Sequence, residues 1–182
     1  MARVPYLSPD DLSPENRDLL GRNLNLFRAM VNSPNATRSF LGLGQYLRFH
    51  SRLDPRLREL AILQVGYLAR SPYEFSHHVR IGREFGVTDE DIWALIAETK
   101  GEPSALAAPA RAVLRAAREL AAQPSLSDAA FAQLQRWLDN EQLVDLLLTI
   151  SFYCGVVRLL AALRIDVEDD YLSYLREFPF PD

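Results

Sequence analysis

Ionisable residues fall on apolar helical stripes in one stretch of the chain, residues 54–85. Glu74 and His78 are four residues apart there, so they are neighbours on one face of a helix. His78 shares its stripe with Ile81 and Phe85, a spacing that predicts an imidazole pointing into the core. An inward-facing imidazole beside a carboxylate is a candidate general acid or base.

A second carboxylate, that of Glu59, lies on an apolar stripe of the preceding helix. Ile62 and Leu63 follow it on that stripe after one turn, and Gly66 follows after two turns. We expect it to be partly buried, with a raised pKa unless a cation pairs with it. The break at residues 70–72 would let the two helices fold back as a hairpin. Glu59, Glu74 and His78 are therefore predicted to meet in space.

Glu74 also has a purely structural interpretation. Ser71, Pro72 and Glu74 match a capping box, with serine as the N-cap, proline first and glutamate third. A capping carboxylate can still pair with His78, so the two interpretations are compatible. In the functional interpretation, Tyr73 and Ser71 contact a substrate, although Tyr73 is equally explained by packing.

The other candidates have structural alternatives too. His78 can be a satisfied core histidine hydrogen-bonded to Glu59. Glu59 can instead pair with Arg56 or Arg58 on its own helix, an interaction of small energy at a surface. The adjacent His77 falls on a stripe of charged residues and is expected at the solvated surface.

Composition limits the classes of protein and partner. The chain has 182 residues, 48% hydrophobic and 24% charged, which fits one globular domain with a sizeable core. Its net charge is −4 with both signs interspersed, so we expect neither nucleic acid nor a membrane surface as a partner. The one cysteine, Cys154, is expected to be an inert buried thiol and is typical of a reducing cytosol. The first residues have no signal-peptide core, so a cytoplasmic location is expected.

Helix signals follow one another along the whole chain and predict an all-α fold. The last strong helix, from Glu141 to about Leu163, is apolar nearly all round, so we expect it to be buried centrally or against another subunit. Asp145 and Arg158 interrupt it, which argues against a membrane span. The aromatic residues of the tail are expected to dock onto a neighbouring surface. The helices are predicted from Ser13 to about Met30, then over about 35–49, 55–69, 72–85, 89–100, 110–122 and 127–138, and at 141–163.

Three segments of the chain resemble the carboxymuconolactone decarboxylase and alkyl hydroperoxidase D superfamily: NLFRAMVNSP, RLDPRLRELAILQVGYLARSPYEFSHHVRIGREFGVTDEDI and LLLTISFYCGVV. The peroxidase branch has a glutamate, a Cys-x-x-Cys pair and a histidine at fixed spacings. The glutamate matches Glu59 and the histidine matches His78, whereas the cysteine positions hold Ser71 and Glu74. A hydroxyl and a carboxylate cannot replace a thiol pair, so the resemblance is to a cysteine-free subgroup without thiol peroxidase activity.

The resemblance implies a compact orthogonal all-α domain of the alkyl hydroperoxidase D-like type that forms homo-oligomers. It implies a single domain over residues 1–182, with N-terminal helices in 13–50, the core motif in 54–100 and C-terminal helices in 110–175.

The resemblance further implies a cofactor-free enzyme that binds no metal and acts on a small-molecule substrate. The expected chemistry is proton transfer with decarboxylation or isomerisation of a small organic acid or lactone. His78 would be the general acid or base, tuned by Glu59, with Glu74 orienting or sharing the proton. Arg70 and Arg80 are the nearest candidates in sequence for holding a substrate carboxylate.

Three alternatives stay open at the level of sequence. One is an antioxidant protein that has lost its Cys-x-x-Cys pair, and another is a non-catalytic helical oligomer that binds a ligand. The third is a divalent metal site built from Glu59, Glu74 and His78.

Overall fold

The computed structural model describes residues 1–180, and within that range every regular element is helical. This confirms the all-α class predicted from the sequence. Short 3-10 helices at Pro9–Asp11, Pro14–Leu20 and Asp169–Tyr171 accompany the α-helices. The α-helices are α1 Asn25–Met30, α2 Pro34–Phe49, α3 Pro55–Leu68, α4 Pro72–Glu84, α5 Asp89–Thr99, α6 Ala108–Ala122, α7 Asp128–Leu134, α8 Asn140–Leu163 and α9 Leu172–Glu177.

Most helix ends follow the local signals in the sequence. Asp54 caps α3 by accepting a hydrogen bond from the Leu57 backbone N–H at 2.9 Å. Thr88 and Asp91 form the reciprocal capping box of α5. Gly86 follows α4 with φ +90°, a conformation that glycine adopts without the strain of a side chain.

The N-terminal region differs from the single helix predicted between Ser13 and Met30. A 3-10 helix ends at Leu20, and α1 begins only at Asn25. Leu24 between them is extended, with φ −106° and ψ 142°. Gly21 starts this break because it favours a helix less than other residues do. The break matters for the site, since the connection at residues 21–24 forms part of a cavity wall.

The central helix is α3. All eleven residues from Leu57 to Tyr67 are buried, and α4, α5, α6 and α8 pack around them. Its charged and amide side chains have partners inside the protein: Arg58 bonds to Glu59, and Gln64 bonds to Thr99. Internal pairing therefore allows a helix that is not the most hydrophobic one to occupy the centre.

Within one chain α8 is buried on its inner face only, so burial at the centre, the first of the two environments predicted for it, does not occur; burial against another subunit stays a prediction. Leu146 and Ile150 lie in the core, but Val144 on the outer face is 64% exposed and Leu148 is 37% exposed. By length and composition alone α8 is apolar enough to span a membrane. The mean hydropathy of its most apolar 18 residues is 2.0, and 33% of these residues are buried within the protein. Its inner face nevertheless packs on α3 and α6.

Helices α3 and α4 approach each other most closely at Gly66. A Cβ atom there would lie 3.2 Å from the backbone nitrogen of Phe75 and 3.3 Å from its Cα. The small residue thus allows the helix that carries Glu59 to lie against the helix that carries Glu74 and His78.

The chain after α8 returns to α4 and α5. Phe178 is fully buried and Phe180 packs on Tyr67 and Phe75, with ring centroids 5.6 and 5.3 Å away. The aromatic residues of the tail therefore dock on the same chain.

Candidate active site

The three residues singled out by spacing lie together in the interior. His78 Nδ1 is 2.7 Å from Glu59 Oε2, and His78 Nε2 is 3.0 Å from Glu74 Oε1. The Arg58 side chain donates from Nε to Glu59 Oε1 at 3.1 Å. All four residues are at most 5% exposed. Two carboxylates and two cations thus form a buried cluster with no net charge.

The cluster shifts the pKa values of its members. Burial alone would lower the pKa of His78, but the charges and hydrogen bonds of Glu59 and Glu74 outweigh it and raise that pKa to about 9. For Glu59, burial would raise the pKa, but His78 and then Arg58 outweigh it and the pKa is lowered. The rise that would follow from burial without a partner does not occur, because the partner is present. His78 is therefore an imidazolium near neutral pH, with an N–H directed to each carboxylate.

The capping interpretation of Glu74 is wrong in the structure. Ser71 occupies the N-cap position of α4, but its side chain makes no capping hydrogen bond, and no capping box forms with Glu74. The Glu74 carboxylate pairs with His78 instead, one turn along the helix. Ser71 is buried and lies outside the cavity described next, so it has no route to a substrate there.

A cavity of about 320 Å³ opens beside the cluster. Its walls come from α1, α2, α4, α8 and the connection at residues 21–24, and they are mostly apolar. Glu74 and His78 line it, whereas Glu59 stands behind His78. Tyr73 lines it as well, but the Tyr73 hydroxyl already accepts from Leu26 N and lies 3.2 Å from a carboxylate oxygen of Glu168. Of the site residues predicted from the sequence, Glu74 and His78 are thus the ionisable groups that line the open space.

The expectation that His77 is solvated is wrong. His77 is 4% exposed, and its ring lies between Tyr73 and Tyr171, with centroids 4.0 and 3.6 Å away. Its Nε2 is 3.1 Å from Glu168 Oε2. The segment after α8 covers this face of α4, although the face carries charged residues. The local sequence pattern could not predict a contact with a segment so distant in sequence.

Tyr153 on α8 is a site residue that the sequence analysis missed. Its ring meets the His78 imidazole edge-on, with centroids 5.0 Å apart, and it lines the cavity. Burial raises its pKa, and the charges of Glu74 and Glu59 raise it further, so the phenol stays protonated. Its place in an apolar run gave no local signal, because only tertiary packing brings α8 to α4.

The cations of the cavity also differ from those expected. Arg22 and Arg48 line it, whereas Arg70 and Arg80 do not. Among residues 1–180, no group of three or more histidine, cysteine, aspartate and glutamate side chains is placed to hold a metal ion.

Residues 34–119 match the family model described as the carboxymuconolactone decarboxylase family. Over those residues, just under half of the chain, the resemblance to this family seen in the sequence is confirmed. Among curated proteins, none is significantly similar in sequence to this chain.

Solved structures share the fold of this chain over nearly its whole length. A peroxidase-related protein with an alkylhydroperoxidase AhpD core from Ralstonia eutropha JMP134 has a TM-score of 0.79 at 18% identity, covering 99% of this chain and 98% of that one. A peroxidase-related protein from Silicibacter sp. TM1040 has a TM-score of 0.76 at 18% identity, covering 93% and 92%. The debrominase Bmp8, in complex with 2,3,4-tribromopyrrole, has a TM-score of 0.79 at 19% identity, covering 98% of each chain.

Proposed function

We propose that the chain is an acid–base enzyme that decarboxylates or isomerises a small organic acid or lactone. The observation that carries this proposal is the line Glu59–His78–Glu74, which ends at the wall of a 320 Å³ apolar cavity. A buried imidazolium between two carboxylates is a proton source held in an environment of low polarity.

The proton path follows from the order of the three groups. Both ring nitrogens of His78 already face carboxylates, and of these three residues Glu74 and His78 border the cavity whereas Glu59 does not. In a decarboxylation, breaking the bond to the carboxylate releases carbon dioxide and leaves its electron pair on carbon as an enolate-like anion. Glu74 passes the His78 proton to that carbon, and a proton from water then restores the site. Glu59 keeps His78 charged and oriented throughout, so it is a positioning residue.

Isomerisation uses the same groups, but Glu74 acts first as a base and not as an acid. Glu74 removes a proton from the carbon next to a carbonyl, and the pair of Glu74 and His78 returns it at another carbon of the conjugated anion. Tyr153 supplies a protonated hydroxyl in the cavity, which suits an oxygen that becomes negatively charged in either reaction.

The test is a screen of β-keto acids, carboxylated lactones and unsaturated acids, followed by NMR in deuterium oxide. We expect deuterium at the carbon that gains the proton, and carbon dioxide release where a carboxylate is lost. Glu74→Gln and His78→Asn should lower the rate by roughly 10²–10⁴-fold, as for loss of a general acid or base. The exposed Glu102→Gln, which changes the charge equally, should leave the rate unchanged. Unchanged rates in both site variants would contradict the proposal.

Two alternatives to this function have tests of their own. A hydroperoxide-reduction assay with a thiol donor examines the antioxidant role, which the absence of the cysteine pair at Ser71 and Glu74 disfavours. A non-catalytic binding protein would bind small ligands in the cavity yet show no turnover and no exchange of protons with deuterium oxide for any compound screened.

We further propose that the protein is a cytoplasmic homo-oligomer. Val144 and Leu148 give α8 an exposed apolar outer face, which supports burial against a second copy. Light scattering coupled to size-exclusion chromatography would give the mass in solution, and a monomer of 20.6 kDa would contradict this proposal.

A further inference from the structure

The charges that line the cavity are not balanced. Asp18 and Glu74 are its acidic residues, and both have cationic partners: Arg38 lies 2.8 Å from Asp18, and His78 lies 3.0 Å from Glu74. Arg22 and Arg48 are its arginines. The two carboxylates are therefore already satisfied by the protein.

Neither arginine of the cavity has such a partner. Within residues 1–180, no carboxylate lies within ion-pair distance of the Arg22 or Arg48 guanidinium. The Arg48 guanidinium instead lies over the rings of Phe49 and Phe85, 5.8 and 6.0 Å from their centroids. Glu84 acts on Arg22 only at longer range and is paired with Arg80 at 3.7 Å.

The two guanidinium groups are also close enough to repel each other. Arg22 is exposed on one side, but its partial burial in the cavity wall lowers its pKa, and the positive charge of Arg48 lowers that pKa further. Two like charges on the wall of one cavity raise the energy of the empty site, and an anion placed between them removes that repulsion.

We propose that Arg22 and Arg48 form the anion-binding end of this cavity and hold the carboxylate of a small ligand with a flat apolar body. Phe40 and Phe152, whose rings are in contact at 4.8 Å, and Tyr153 offer aromatic surfaces to that body. A guanidinium binds a carboxylate through two parallel N–H···O bonds, a geometry that an ammonium lacks. The choice of a carboxylate rests on the proposed function, but anion binding at this end of the cavity does not.

The two arginines come from separate elements, one from the break before α1 and one from the end of α2. A carboxylate bound between them would tie the connection at residues 21–24 to α2. Such an anchor fixes the ligand relative to Glu74 and His78, and it makes Arg22 and Arg48 specificity-determining residues of the acid–base reaction.

The experiment compares benzoate with benzamide, a neutral compound of nearly the same shape, by isothermal titration calorimetry on the full chain. Benzoate should bind more tightly than benzamide, and its affinity should fall as salt is added. Arg22→Gln and Arg48→Gln should each weaken benzoate by about tenfold, which is 1.4 kcal/mol, and leave benzamide unchanged. Arg48→Lys should recover part of the benzoate affinity because the charge remains.

Arg136→Gln is the matched control, since it removes an exposed arginine that has no part in the cavity. It should bind benzoate as the unmodified protein does. The double variant Arg22→Gln/Arg48→Gln should lose the preference for the anion, with circular dichroism and a thermal melt verifying that it is folded.

Equal affinity of the unmodified protein for benzoate and benzamide, or a preference that survives in the folded double variant, would overturn the proposal. The outcome is independent of catalysis, because binding is measured without turnover. If His78→Asn abolishes turnover while benzoate selectivity persists, both proposals hold. If no turnover exists but the selectivity depends on the two arginines, only the enzymatic proposal fails.

Discussion

At the scale of single residues, the charge of His78 depends on its two carboxylate neighbours. Glu59 at 2.7 Å and Glu74 at 3.0 Å raise its pKa from an ordinary 6.5 to about 9, against the opposing effect of burial. The folded-state value is the higher one, so the stability that this pairing contributes is fully present below pH 6.5. It is lost as the pH rises to about 9, where the folded protein releases the proton as well.

We therefore predict that the free energy of unfolding decreases between about pH 6.5 and 9, by up to about 3 kcal/mol from this histidine. Urea unfolding across that range measures it. His78→Asn should flatten the slope, whereas His50→Asn, at an exposed histidine, should leave it unchanged. An equal slope in His78→Asn and the unmodified protein would contradict the assignment. The lowered pKa of Glu59 has the opposite sign: its contribution is lost as the pH falls below about 4.5.

The residue pattern predicted part of this site and could not predict the rest. Helical spacing was enough to point Glu74 and His78 to one face and Glu59 to an inner stripe. Tyr153 and Arg48 lie on other helices, and only packing brings them to the cavity. The local pattern could not decide between a cap and a pair with His78 for Glu74, because a capping box and an i,i+4 pair use the same residue types at nearly the same positions.

At the scale of helices, the site depends on how closely α3 and α4 pack. Gly66 on α3 faces the Phe75 backbone, which cannot move as a flexible side chain would. A methyl group there would separate the helices by a few tenths of an ångström, and the three-group line of Glu59, His78 and Glu74 spans that boundary.

We predict that Gly66→Ala lowers the free energy of unfolding by about 1–3 kcal/mol, the usual cost of overpacking. It should also reduce turnover, because proton transfer depends on short distances between the groups. Gly42→Ala is the control, since that glycine lies in the middle of α2 with nothing within 4 Å of the added methyl. It should raise stability by about 0.5–1 kcal/mol through helix propensity alone. Urea unfolding and rate measurements on both variants give the comparison.

Helix order in the core also shows where sequence reasoning stops. The apolar character of α8 predicted a position at the centre or against another subunit, but α3 is the central helix, with Arg58, Glu59 and Gln64 buried on it. Burial of a polar residue depends on whether a partner meets it, as His78 meets Glu59 and Thr99 meets Gln64. The identity of such partners is a property of the fold and not of the segment.

At the scale of the whole molecule, the segment after α8 fixes the first turns of both α4 and α1. Glu168 receives a hydrogen bond from the Asn25 backbone N–H at 2.6 Å and has the Tyr73 hydroxyl at 3.2 Å. Its other oxygen is 3.1 Å from His77 Nε2. These contacts join residues between 91 and 143 positions apart in sequence, and they lie directly behind the cavity wall formed by Tyr73 and His77.

We predict that Glu168→Gln lowers the free energy of unfolding by about 1–3 kcal/mol, because buried donors on Asn25 and Tyr73 lose an anionic acceptor. Amide hydrogen exchange in α1 and in the first turn of α4 should quicken in the same variant, since local opening there becomes easier. Glu177→Gln, on the same segment, breaks an ion pair with Arg83 in which the glutamate is 41% exposed, and should cost less than about 1 kcal/mol. Equal losses of unfolding free energy in the two variants would mean that the segment contributes only surface charge. Faster amide exchange confined to α9 would mean that Glu168 stabilises only its own segment and not the cavity wall.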